Sequence, residues 1–243
     1  MAKARVAPRE GAAFARTYHK YFEVVPADTP ELLERVFRLR YDVYCLEKPY
    51  EDAAENPGGR EVDAYDRRAV HSLLIHRTSG EVAGTVRLIL GAGAGDPELP
   101  IQTACPELAN WPEGQLPGAT TAEISRFTVA RRFRQRISDT IYADTGVRWP
   151  ASDEFDGRRA LPHITLGLLT AVGRMSKQNG ITHWCAIMEP ALLRLLARLG
   201  VYFSPIGSLV EYHGWRQPCS AVLSQVDQSI MKKQPKIHKL VAE

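Results

Sequence analysis

The chain has 243 residues, 44% of them hydrophobic and 24% charged, with a formal net charge of +3. That composition is ordinary for a globular protein with one sizeable core, and the small net charge excludes the strong basic field that a nucleic-acid partner needs. Four cysteines, Cys45, Cys105, Cys185 and Cys219, have no close pair, which excludes a zinc ribbon or a secreted disulfide framework and leads us to expect reduced thiols in a cytoplasmic protein. No stretch is long and apolar enough to cross a membrane. The basic first ten residues run into no continuous apolar segment, so no secretory signal is expected.

In chain order, residues 1–20 read as weakly ordered, with Phe14, Tyr18, Tyr21 and Phe22 available as one apolar face of a short helix. Tyr21 to Val25 reads as a strand. Thr29-Pro30-Glu31 is a helix start, with a capping hydroxyl, a proline in the first turn and an acid near the positive end. The helix that follows carries Leu32, Val36, Leu39, Val43 and Leu46 at helical spacing, widened by Leu33, Phe37 and Tyr44. Arg40 has Val36, Phe37, Val43 and Tyr44 three and four positions away, so its guanidinium projects from an apolar face. It must find a carboxylate there or snorkel to water. After a polar loop over 48–62, Asp63 and Asp66 are the nearest acids for it; either is equally an ordinary loop acid.

Val70 to Arg77 and Glu81 to Leu90 form a hairpin through Thr78-Ser79-Gly80, with Arg87 on the face of Thr85 and Ile89. Residues 91–118 are a long Gly/Pro-rich excursion. Its G-A-G-A-G lacks both a P-loop lysine and a following helix pattern, so it is discounted as a phosphate loop. Thr121 to Val129 is a β-favouring run interrupted by Glu123 and Arg126, which strict alternation puts on opposite faces of the sheet. Arg131, Arg132, Arg134 and Arg136 follow at once. Two readings stand side by side: a site with a docking surface beside it, or an edge strand with solvated charges. A second polar excursion spans 138–159. A helix with Ile164, Leu168, Leu169, Val172 and Met175 inward then ends at Asn179-Gly180. A strand over Ile181 to Met188, a leucine-rich helix over Pro190 to Leu199, and strands over Val201 to Ile206, Ser208 to His213 and Ala221 to Ser224 complete the order. The expected organisation is a single α/β domain over 21–226, a mixed sheet with helices on both faces, followed by a loose basic tail over 227–243.

The spacing of Arg40, Tyr44, Tyr50, Asp63-x-x-Asp66, Arg87-Leu88 and Glu123-x-x-Arg126 resembles the acyl-homoserine-lactone (autoinducer) synthases. Tyr44 and Tyr50 stand where that family has Phe and Trp. R-Y-D-V-Y-C-L-E (40–47), P-H-I-T-L-G-L-L (162–169), M-E-P-A-L-L-R-L-L (188–196) and L-V-E-Y-H-G-W-R-Q-P-C (209–219) look like the acyltransferases associated with the exosortase/PEP-CTERM sorting system, which are similar to N-acyl amino acid synthases. These motifs are spread over nearly the whole chain.

The resemblance implies a GNAT-like N-acyltransferase fold, no bound cofactor or metal, and transfer of a long-chain acyl group from a phosphopantetheine thioester to a small amine such as an amino acid. It makes Glu123 the base that deprotonates the amine, with Arg126 beside it. Arg40, Tyr44, Tyr50, Asp63, Asp66, Arg87, Ser125 and Phe127 would line or shape the substrate cleft. One arginine fork would receive the acceptor's carboxylate, and backbone N–H groups near Phe127 would hold the developing oxyanion. Members of this fold that use coenzyme A cradle its pyrophosphate on a glycine-rich turn after the central strand; V-A-R-R-F-R-Q-R has no glycine. The four arginines Arg131, Arg132, Arg134 and Arg136 suit an acidic acyl-carrier protein instead. The acyl chain is expected between the Ile164 helix and the Trp184 strand. A metal at His213 and Cys219 is weighed against a packed histidine and a buried thiol, and the second is preferred. The rival readings are a true lactone synthase acting on S-adenosylmethionine and a non-catalytic acyl-carrier or lipid-binding module.

Overall fold

A computed structural model of the chain describes residues 7–91, 98–108, 112, 114–134 and 160–242. Eight strands form one sheet in the order β1 (Phe22–Pro26), β2 (Ala69–His76), β3 (Val82–Ile89), β4 (Thr121–Val129), β5 (His183–Met188), β8 (Trp215–Val222) and β6 (Ser204–Pro205), with β7 (Val210–Glu211) also on β8. All pairings are antiparallel except β4 with β5. That parallel step requires a crossover, and α5 (Ala160–Gln178) supplies it.

Helices cover both faces. α5 buries Ile164, Leu168, Leu169 and Val172 against β1 to β4 on one side. α2 (Pro30–Tyr41) covers the other with Val36 and Phe37 on Leu73. Thr29 caps α2 by accepting the Leu32 N–H at 3.3 Å, with Pro30 at the first helical position, as its sequence requires. Beyond Tyr41 the helix widens into a π-turn, Asp42–Glu47, which turns Tyr44 toward β4. The short helices α3 (Pro100–Ala104) and α4 (Arg131–Arg134) flank β4, and α6 (Pro190–Arg198) follows β5.

The two termini depart from expectation. Residues 7–21 form α1 (Ala7–Tyr21), whose Phe14, Ala15 and Tyr18 are buried, and the Tyr18 hydroxyl donates to the His163 carbonyl at 2.9 Å. The basic tail is helical as well: α7 (Leu223–Lys233) and α8 (Pro235–Ala242) bury Val226, Ile230, Ile237 and Leu240. Lys232, Lys233, Lys236 and Lys239 stay on the exposed side. The lysines dominate the composition of that stretch, but the apolar residues between them fall on one helical face, and α1 and α8 cover each other. Of the strands expected near the C-terminus, only Ser204–Pro205 and Val210–Glu211 pair, and β8 starts at Trp215 rather than Ala221. Among the described residues no helix is long and apolar enough to cross a membrane.

Candidate active site

The site is organised by an irregularity in β4. Ser125 lies opposite Arg87 and Thr128 opposite Thr85, so two residues of β4, Arg126 and Phe127, face the single Val86 of β3. This is a β-bulge, and Arg126 takes a left-handed φ of 49° to make it. The extra residue resets the alternation. Glu123, Ser125, Arg126 and Thr128 all fall on the α2 side, while Ile124, Phe127 and Val129 pack toward α5. Glu123 and Arg126 therefore share a face, contrary to the opposite faces that strict alternation predicts. They make no ion pair with each other; each has its own partners.

Arg40, 0% exposed, does not snorkel. Its Nη1 and Nη2 form a fork on Asp66 at 2.7 and 3.1 Å, and its Nε donates to Glu61. Arg87 donates to Asp63 at 2.6 Å, to Asp66 at 2.9 Å and to the Ser125 hydroxyl at 2.9 Å. Arg126 donates to Glu61 and Glu51, both at 2.8 Å, reaches Asp63 at 3.4 Å, and lies over the Tyr44 ring. The loop acids are oriented by their own backbone: Asp66 accepts the Asp63 N–H and Asp63 accepts the Tyr65 N–H, a reciprocal cap on one turn of helix. Burial pulls the Glu61 carboxyl up, yet hydrogen bonds from Arg126 and Arg40 outweigh it and hold the group at about 2. Asp66 is likewise held below the usual carboxylate range by Arg40, against its burial. Beside it His71 sits 3.5 Å from Asp66, and burial lowers its pKa to about 4.

Glu123 has a different environment. Its side chain is 3% exposed and accepts one hydrogen bond, from the Ile101 N–H at 2.9 Å. Burial pushes its carboxyl up to about 7, against that N–H and the more distant charges of Arg87, Arg126 and Arg68.

A cavity of about 390 Å³ opens beside this carboxylate. Its origin is topological. β4 and β5 pair only over Thr121–Glu123 and His183–Cys185, then part, leaving one edge of β4 without a strand partner from Ile124 onward. Glu123, Arg126, Tyr44, Tyr50, Asp63 and Arg87 line the cavity, as do Ser125 and Phe127. Arg40 and Asp66 stand behind this wall. The apolar part of the lining includes Val43, Phe127, Ile187, Met188, Leu192 and Leu195. The slot thus lies between β4, β5 and α6: the Trp184 strand does line it, through Ile187 and Met188, but the Ile164 helix contributes only Thr165 and α6 takes its place. Ile164 and Trp184 are core residues, and the indole N–H of Trp184 is held by Ser176 at 2.8 Å.

Several residues in or behind the lining were given no place in the acyl-transfer site from the sequence. Glu61 joins two arginines but sits in a loop that reads as solvated. Glu51, Tyr212, His213 and Arg216 reach the cavity from segments distant in sequence. His213 stacks on Tyr50 at 4.7 Å, while Cys219 is buried against the Ala186 carbonyl, so the two do not meet at one site. Among the described residues no group of three His, Cys, Asp or Glu could hold a metal ion. Of the four arginines after β4, Arg131 is exposed, Arg132 pairs with Glu81, Arg134 pairs with Glu47, and Arg136 lies outside the described residues.

Residues 39–142, which contain the bulged strand and the arginine–carboxylate network, match the model of the acetyltransferase (GNAT) domain. That stretch is similar to a GNAT acetyltransferase domain, and the mixed sheet that holds it is GNAT-like in fold. The same fold occurs in solved structures. The acyl-homoserine-lactone synthase LasI is similar at 20% identity over 83% of this chain and 88% of that one, with a TM-score of 0.54. BjaI, a CoA-dependent acyl-homoserine lactone synthase solved with SAM and isopentyl-CoA, matches at 22% identity over 89% of each chain, also with a TM-score of 0.54. FeeM, an N-acyl amino acid synthase from uncultured soil microbes, matches at 18% identity over 88% of this chain and 97% of that one, with a TM-score of 0.52. No curated protein matches the chain.

Proposed function

We propose that this GNAT acyltransferase moves a long-chain fatty acyl group from a phosphopantetheine thioester to the amine of an amino acid in the cytoplasm. The observation that carries the reading is Glu123. It is a buried carboxyl lifted to about 7, lining a cavity that also has an apolar wall. An amino acid arrives as an ammonium and must lose a proton before it attacks. A carboxylate with a pKa near 7 accepts that proton, directly or through one water, far more readily than one near 4. The amine's lone pair then forms the C–N bond at the thioester carbonyl. Backbone N–H groups on the unpartnered edge of β4 near Phe127 meet the developing oxyanion. The C–S bond breaks, and the thiol leaves with a proton. The apolar lining from Phe127 to Leu195 receives the acyl chain.

Two features bear on the donor. The turn after β4 has no glycine, which argues against a backbone cradle for pyrophosphate. The pairing of Arg132 with Glu81 and of Arg134 with Glu47 removes much of the charge that would attract an acidic carrier protein. The donor is therefore a thioester on the phosphopantetheine arm that coenzyme A and acyl-carrier protein share. The four long motifs resembling exosortase-associated acyltransferases favour an amino-acid acceptor. Lactone formation from S-adenosylmethionine is the second reading, favoured by the likeness to LasI and BjaI over most of the chain.

The purified protein is incubated with acyl-CoA or acyl-carrier protein and a pool of amino acids, and products are read by mass spectrometry. N-acyl amino acids are expected, with turnover lowered by about 10² or more in Glu123→Gln. Lactones formed only when S-adenosylmethionine is present, or full transfer by Glu123→Gln, would overturn the reading.

A further inference from the structure

The three arginines of the network, Arg40 and Arg87 buried and Arg126 nearly so, are the obvious place for an acceptor's carboxylate, but their charge is already spent. Arg40, Arg87 and Arg126 are joined by ion pairs to four carboxylates, Glu51, Glu61, Asp63 and Asp66, so among the described residues this network carries an excess of negative charge. Glu61 and Asp66, 2% and 7% exposed, have no route to water that would let them give way to an incoming anion. An added carboxylate would be repelled from this wall, and an ammonium drawn to it.

The opposite sign stands elsewhere in the same cavity. Lys48 and Arg216 both line it, and both sit against one ring: the Lys48 ammonium is 5.7 Å from the centre of Tyr50 and the Arg216 guanidinium 5.9 Å. That ring is held in place from the β7–β8 turn by His213, stacked at 4.7 Å with 28° between the planes. Lys48 has no carboxylate partner among the described residues. Arg216 has one, Glu189 at 3.2 Å, but the Glu189 side chain is 45% exposed, and a pair open to water on one side is worth little and is readily exchanged.

We propose that an amino-acid acceptor sits in the cavity between these two sets of charges, which its ammonium and α-carboxylate, joined through one carbon, meet together. Its amine is at the wall of Glu51, Asp63 and Glu123, and its carboxylate is beside Tyr50, held by Lys48 with Arg216 as second cation. This rests on the reading of the protein as an amino-acid acyltransferase and adds a selectivity to it. A free α-carboxylate is required, and Lys48, not a buried arginine, recognises it. A charge-assisted contact of this kind is worth about 1.5–3 kcal/mol, or roughly a 10- to 100-fold preference.

The test compares one acyl donor with two acceptors, an amino acid and its carboxamide, in wild type, Lys48→Met and Lys48→Arg. Wild type should prefer the acid over the amide by about tenfold or more in kcat/KM, mostly through KM. In Lys48→Met that ratio should fall toward one, and Lys48→Arg should restore most of it, which a merely structural lysine would not do. Equal use of acid and amide by wild type, or a Lys48→Met protein that keeps the wild-type ratio, would overturn this inference and leave the acyltransferase reading standing. No transfer to either acceptor by wild type would overturn both.

Discussion

Glu123 and Glu61 show at the scale of single residues how position decides what a carboxylate can do. Both are buried, 3% and 2% exposed, yet one is pushed up to about 7 and the other held at about 2. The difference is the partner: two guanidiniums on Glu61, one backbone N–H on Glu123. The signs with pH are therefore opposite. Glu61 contributes stability that is fully present above about 4.5 and lost as pH falls through about 2. Glu61→Ala, which leaves Arg40 and Arg126 underpaired, should cost about 3–5 kcal/mol in denaturant unfolding at pH 7. A folded pKa above the unfolded value means that Glu123 costs stability as pH rises from 4.5 toward 7 and stays costly beyond. The distance from 4.5 to about 7 corresponds to about 3 kcal/mol. Glu123→Gln should accordingly unfold at a higher temperature than wild type at pH 8 and lose that advantage near pH 4.5. A melting temperature at pH 8 equal to or below that of wild type would mean that the carboxylate is not strained in the folded protein. Acyl transfer should rise with pH through about 7, since the base works only when ionised.

The element that decides the site is β4, through its bulge and its early parting from β5. A regular strand would have sent Arg126 toward α5, away from Glu61 and Asp63. β3 is shaped to accept the bulge: a Cβ at Gly84 would come within 2.7 Å of the Thr128 carbonyl oxygen, a backbone atom that cannot step aside. Gly84→Ala should therefore destabilise the protein by roughly 1–3 kcal/mol and lower acyl transfer beyond what the lost stability explains, because the displaced carbonyl is two residues from Arg126. Unchanged unfolding and unchanged turnover in that variant would show that the strand pair adjusts freely. The π-turn at Asp42–Glu47 belongs to the same scale, since it brings Tyr44 within reach of Thr128, 3.2 Å between hydroxyls, and under Arg126.

Across the whole molecule, the ends of the chain hold each other. α1 and α8 cover one another next to α5, with Tyr18, Ile237 and Leu240 buried. Leu240 is 0% exposed although it sits in a lysine-rich tail, and Leu240→Ala should cost about 2–5 kcal/mol in denaturant unfolding, a core-sized effect. A cost below about 0.5 kcal/mol would mean that the tail does not belong to the cooperative unit. The cavity too is a product of the whole molecule. β4, β5, α6, the π-turn and the β7–β8 turn each contribute one wall, drawn from residues 43 to 216.

Much of this was legible in the sequence wherever the signal is local. The cap at Thr29, the apolar faces of α2 and α5, the β2–β3 hairpin and a carboxylate for Arg40 all follow from periodicity, turn chemistry and the cost of an unpaired buried charge. The spacing of Arg40, Asp63, Asp66, Arg87, Glu123 and Arg126 marked residues that the fold does bring together. Tertiary structure alone decided the rest. A bulge leaves no mark in an alternating pattern, so the common face of Glu123 and Arg126 was hidden. Glu61 and Lys48 lie in one polar loop and differ only in where packing carries them, the first behind a buried wall and the second beside an aromatic ring. Burial and partnering at that distance are set by elements far apart along the chain, and no local pattern of residues encodes them.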